Sequence, residues 1–225
     1  MNASRALPLL LFSFTVAIGQ AGAQGFSFSQ DEENARRNEQ REAAEREDRI
    51  AQGLSVPCRA ELKNKKIMVI IGERQSNGDI EANQQNYGRH YQAINKRLQA
   101  LGLRTFTPEE IRRQIAQAEI NAYFRNDPDA ALSASRRLGA SFVLRGLISS
   151  QAAPNPMMNV NQVSVNMGFT LTGSNGRVIS DTEASSSSYA GADVQGTALT
   201  LVNEKADEVV AALYADYCRS AGRSK

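Results

Sequence analysis

The sequence has no tryptophan, one histidine and two cysteines among its 225 residues. Each scarcity excludes something. One histidine, His90, supplies no histidine pair for a metal centre, and two thiols with one imidazole are a poor zinc ligand set. No serine sits in a glycine-flanked nucleophile elbow. His90 lies in a helical stretch with no partner that the sequence identifies as orienting it, so it reads as an ordinary helix residue rather than a general base. The formal net charge is only +2, which argues against nucleic-acid or anionic-membrane binding driven by bulk electrostatics. After the first two dozen residues no apolar run approaches a transmembrane helix.

The glycine signature of a dinucleotide site is also missing. The run KIMVII (Lys66–Ile71) opens like a nucleotide-fold strand. The next glycines, Gly72 and Gly78, are six apart, and Glu73 and Arg74 stand where a phosphate would need small residues. There is no P-loop. The expectation is therefore no catalytic residue, no cofactor and no metal, and a protein that is not an enzyme.

What is present begins with an export signal. Arg5 precedes the apolar run Leu7–Ile18, and Ala21-Gly22-Ala23 fits the small-x-small cleavage rule, placing cleavage after Ala23. No cysteine stands at that point, so no lipid anchor is expected. Residues 24–55 form a charged spacer of alternating sign with almost no aliphatic residue before Ile50. Such a segment is a solvated helix or a disordered linker. Residues 56–222 form the folded domain and 223–225 a tail.

Within the domain, Ile67–Ile71 is a β-branched run expected of a strand covered on both faces, with Gly72-Glu73-Arg74 as a polar turn. Tyr87–Ala100 has helical apolar spacing and stops at Gly102. Leu103–Phe106 reads as a second strand. Thr107-Pro108-Glu109-Glu110 is a helix start with a threonine cap, proline in the first turn and acids at the positive dipole end; the helix should run to about Ile120. A further helix starts at Asp127-Pro128 and ends at Gly139. Ser141–Ser149 is a third strand. Val163, Val165, Met167, Phe169 and Leu171 alternate with polar residues, the pattern of a half-exposed strand. Ser174-Asn175-Gly176-Arg177 turns it into the partner Val178–Tyr189, Asn-Gly tolerating positive φ at both central positions. Val194–Tyr217 is a long amphipathic helix. The fold class is α/β: a mixed sheet of about five strands with helices packed against it, in the order β-α-β-α-α-β-β-β-α.

Cys58 and Cys218 stand at opposite ends of this domain. In an exported protein an even cysteine count reads as a disulfide, here closing a loop of about 160 residues. Two buried thiols are the alternative.

Four stretches resemble one group of bacterial envelope proteins: Lys66–Ile71 with its Gly-Glu-Arg continuation; Arg137–Gly146, a helix end leading into an apolar strand and a glycine; Phe169–Ile179, FTLTGSNGRVI; and the closing alanine-rich helix. The group contains the curli-secretion lipoprotein (CsgG-like), the lipoprotein activators of penicillin-binding proteins (LpoB-like) and the middle domain of flagellar assembly protein T. The resemblance spans roughly Lys65–Tyr217 and concerns architecture rather than activity. It implies a periplasmic or outer-membrane-associated protein of a Gram-negative bacterium. Such a protein binds or assembles other envelope proteins. A homo-oligomeric secretion channel is one alternative, with Val163–Leu171 as its membrane strand. A peptidoglycan-binding module is another, with Tyr87, Tyr91 and Tyr123 as sugar platforms.

Overall fold

The computed structural model describes residues 28–74, 80–81, 88–125, 128–157 and 160–222. The expected signal peptide with its expected cleavage point, Tyr87 and the tail 223–225 lie outside the described residues. The chain divides into two compact units, residues 1–41 and 42–225. In the first, the described residues belong to helix α1 (Phe28–Leu54), and from Gln30 to Arg41 they are exposed.

The second unit contains the rest of α1 and everything after it. Ala43, Arg46, Ile50 and Gly53 recur at three- and four-residue steps and are half-buried, so this part of the spacer does have a packing face. At Gly53 the helix backbone lies against α7 (Val194–Gly222): a Cβ there would sit 3.0 Å from the Ala211 carbonyl oxygen. Beside it, Arg49 Nε donates to Glu208 Oε1 at 2.9 Å.

The sheet is mixed. Its order is β2 (Ile80–Glu81), β1 (Lys66–Arg74), β4 (Phe142–Asn155), β5 (Val160–Gly173), β6 (Val178–Ala190), and the two-residue β3 (Arg104–Thr105) also pairs with β1. β1 and β4 are parallel, and β4, β5 and β6 form an antiparallel meander. The β1 run divides its side chains between two cores. Ile67, Val69 and Ile71 enter the larger one, beneath α3 (Arg89–Ala100) and α7, where Leu144, Phe169, Val202 and Val209 also pack. Met68 and Ile70 enter the smaller one, beneath α4 (Pro108–Gln114), α5 (Gln117–Phe124) and α6 (Pro128–Leu138), with Ile111, Ile120 and Val143. The strand is covered on both faces, as its unbroken apolar run requires.

Four local expectations need correction. Gly72, Glu73 and Arg74 are strand, not turn, because β4 continues beside them as far as the pair Arg74–Ser149. Backbone pairing overrides their polarity. The strand expected at Leu103–Phe106 is reduced to Arg104–Thr105. The single helix from Thr107 is two. Thr107 and Glu110 close a reciprocal capping box, but Ile115 is extended at φ −128°, and the Glu119 side chain then caps the Ala116 N–H at 3.0 Å. The break has a packing reason: Ile120 lies five residues after Ile115, off the face that Ile111 and Ile115 share in a continuous helix. Restarting the helix lets all three reach the core. Finally, the β5–β6 turn has positive φ at Gly176 alone, +85°. Gly173 and Arg177 close it with an N–H to carbonyl bond of 2.9 Å, leaving a three-residue loop.

Some elements were not anticipated from sequence: β2, the short α2 (Arg59–Leu62), and the length of β4 through Asn155. Cys58, at the start of α2, and Cys218, near the end of α7, have Cα atoms 5.7 Å apart and sulfurs in bonding contact, a separation that suits a disulfide. The Tyr214 hydroxyl flanks them. It donates to the Val56 carbonyl and accepts from the Cys58 N–H at 3.3 Å. No helix among the described residues is long and apolar enough to cross a membrane.

Candidate functional site

Strand register builds a surface that single-strand patterns do not reveal. On the face toward α4–α6, residues of four strands line up in rows across the sheet. Met68, Val143 and Thr172 form the first, and Ile70, Arg145, Thr170 and Asp181 the second. The third is Gly72, Leu147, Gly168 and Glu183, and the fourth Arg74, Ser149, Asn166 and Ser185. The helices cover the start of this series. Val143 is buried in the smaller core. Over the third and fourth rows the face opens into a cavity of about 400 Å³ lined by Arg74, Leu147, Ser149, Asn166, Gly168, Glu183 and Ser185.

Two glycines in one row have opposite surroundings. A Cβ on Gly72 would meet Ile80 Cγ2 at 2.7 Å and Phe124 Cε1 at 2.9 Å, whereas a Cβ on Gly168 would meet nothing within 4 Å. Gly72 is small because side chains from β2 and α5 lie directly on it. Gly168 is small with empty space above it, and forms the floor of the cavity.

The border between covered and open sheet is set by α5. Tyr123 and Phe124 close the helix, and the Arg145 guanidinium lies 5.6 Å from each ring centre. Burial raises the Tyr123 phenol above its ordinary value, opposed by the charge of Arg145 and a hydrogen bond with Thr172. Thr170 Oγ1 donates to Asp181 Oδ1 at 3.2 Å. In the open rows the ionic groups are different. Arg74 and Glu183 form no ion pair with any described residue. A guanidinium and a carboxylate thus stand at opposite margins of a floor whose other polar groups are two hydroxyls and an amide.

On the opposite face of β1, Glu73 Oε1 lies 2.9 Å from His90 Nδ1. The hydrogen bond from His90 is the largest influence holding Glu73 below its ordinary value of 4.5, against partial desolvation. Sequence reasoning found no partner for His90 because the pair forms across an element boundary.

The other sequence-stated candidates fall as follows. Val163, Val165, Met167, Phe169 and Leu171 all pack in the larger core, so the hairpin's apolar stripe is occupied by α7 and not turned outward. Tyr91 is 6% exposed and Tyr123 7% exposed; neither presents an open ring face. Burial pushes the Tyr91 phenol up to about 12.

No protein-family model matches the chain, and no curated protein does. Several solved structures are similar in fold. The C-terminal domain of LpoB from Salmonella enterica is 18% identical, with 55% of this chain and 83% of that one covered and a TM-score of 0.37. The PelC dodecamer from Paraburkholderia phytofirmans is 16% identical, covering 68% of this chain and 90% of that one at a TM-score of 0.39. A lipoprotein from Neisseria meningitidis is 15% identical, covering 64% and 97% at a TM-score of 0.40. At these scores neither activity nor partner transfers.

Proposed function

We propose that this chain is an exported, non-enzymatic binding or assembly factor of the bacterial cell envelope, and that the open half-face of the sheet is where it holds its partner. The observation that carries this reading is the empty space over Gly168, bordered by Arg74 and Glu183 with no ionic partner among the described residues. Strand register fixes the backbone positions of these ionic and hydrogen-bonding groups on four strands, so a partner would have only their side chains to order on binding. The leader at residues 1–23 supplies the export, and a periplasmic location is the setting in which the Cys58–Cys218 staple would persist.

The test is photo-crosslinking in cells of the parent organism. A benzophenone side chain at Ser185, in the open face, is compared with one at Lys96, an exposed residue of α3. Adducts with an envelope component from Ser185 and none from Lys96 are expected. Equal adducts from both positions, or sustained hydrolase or transferase turnover by the purified protein, would refute the reading.

A homo-oligomer is supported separately by β6. This 13-residue strand ends the sheet order, with no strand beyond it among the described residues. An edge of that length offers a row of backbone donors and acceptors for strand pairing. Light scattering at rising concentration tests it: a single monomeric mass throughout would exclude it.

A further inference from the structure

We propose that the open half-face binds a short extended peptide with both termini free, its carboxylate at Arg74 and its ammonium at Glu183, lying across the strands over Gly168. This rests on the reading of that half-face as the binding surface, and adds the chemical class of what it binds.

Dimensions come first. Arg74 and Glu183 are on β1 and β6, with β4 and β5 between them, and their rows are adjacent. Three strand spacings and a two-residue step put their Cα atoms roughly 16 Å apart. Side chains leaning inward leave on the order of 10 Å between the charged heads, about the span of three extended residues. A ligand with one charge would leave the other margin unused. A ligand with like charges at both ends would be repelled at one of them.

The floor fits the middle of such a ligand. A peptide backbone offers both donors and acceptors, and the groups between the charges are of the same mixed kind. Ser149 and Ser185 hydroxyls and the Asn166 amide can each donate and accept. Leu147 gives a small apolar contact for a methyl side chain, and Gly168 leaves room for the backbone to approach the sheet. A sugar would instead want an exposed ring to stack on, and Tyr91 and Tyr123 are buried.

The experiment titrates the purified, isotope-labelled protein with trialanine and follows backbone amide shifts. N-acetyl-trialanine and trialanine amide are titrated in parallel. Trialanine is expected to give saturable shifts at Ser149, Asn166 and Gly168, with each blocked form binding about tenfold more weakly, the loss of one charge-assisted contact. Arg74→Gln should remove the discrimination against the amide and retain that against the acetyl form. Glu183→Gln should do the reverse. Gly168→Val should abolish the shifts without lowering the thermal midpoint, because a Cβ at this position meets nothing within 4 Å and a β-branched residue suits a strand. Non-saturable shifts, equal binding of blocked and unblocked peptides, or charge variants that leave discrimination unchanged would overturn the proposal. If crosslinks from Ser185 persist under that result, only the peptide assignment fails. If they are absent too, the half-face itself is not the binding surface.

Discussion

The ring of Phe169 lies over the backbone of Gly146, the residue directly opposite it on the neighbouring strand. A Cβ on Gly146 would fall 2.5 Å from Phe169 Cε1 and 3.1 Å from Ile71 Cγ1. Phe169 is fully buried, and its ring takes the volume that a side chain at position 146 would fill. The sheet thus trades one side chain for a larger one across the pair. Gly146→Ala should destabilise by about 1–3 kcal/mol through overpacking, read as a lower urea midpoint. Gly168→Ala, on the next strand, has open space and should leave that midpoint nearly unchanged. A reversed order would mean that the β4–β5 register differs from the one described.

The proposed Cys58–Cys218 staple joins segments 160 residues apart in sequence. The chain-entropy estimate for a loop of that order is about 4–5 kcal/mol. Cys58→Ser and Cys218→Ser should therefore lower the thermal midpoint by similar amounts, and the double variant should add little further loss. Protein produced by export to an oxidising compartment and denatured without reductant should show no reactive thiol. Two reactive thiols would show that the bridge does not form.

Much of the architecture was legible because it rests on local pattern. Five consecutive apolar residues at Ile67–Ile71 signal a doubly covered strand, and the alternation from Val163 to Leu171 assigns Asn166 and Gly168 to the face away from α7. The surface they help to build was not legible. It depends on the parallel register of β1 with β4, which puts Arg74 beside Ser149, and no local signal encodes that pairing. Gly72-Glu73-Arg74 reads as a turn for the same reason: its polarity is visible, while the strand that pairs with it lies 75 residues further along the chain. Nor does composition say that α5 reaches the third row only at Gly72 and leaves Gly168, and the fourth row at Asn166, open.

At the close approach of α1 to α7, Gly53 has the Ala211 carbonyl oxygen 3.0 Å and the Ala211 Cβ 3.2 Å from where its own Cβ would stand. A large side chain there must push the helices apart. Gly53→Leu should raise proteolytic susceptibility between Glu42 and Leu54 and leave the far-UV signature of the sheet intact. Arg49→Ala, which removes the pair with Glu208, an exposed arginine against a partly buried carboxylate, should have a smaller effect of under about 1 kcal/mol. Equal effects would show that the ion pair, rather than helix contact, holds this segment.

The last prediction concerns pH. Glu73, like Glu119 and Glu208, is held below its ordinary value of 4.5, in its case chiefly by the hydrogen bond from His90. A carboxylate whose folded-state pKa is depressed binds its proton more weakly in the folded than in the unfolded chain. It therefore contributes stability that is fully present above its ordinary value and is lost as pH falls through the depressed one. Wild-type protein should lose stability on acidification below about pH 4.5 more steeply than Glu73→Gln, which has no proton to take up at that position. His90→Ala should also reduce the steepness, because it removes the hydrogen bond that chiefly holds the Glu73 carboxyl below its ordinary value. The measurement is the chemical-denaturation midpoint at half-unit intervals from pH 3 to pH 7. If wild type and Glu73→Gln keep parallel curves throughout, the Glu73–His90 contact does not distinguish the folded from the unfolded chain.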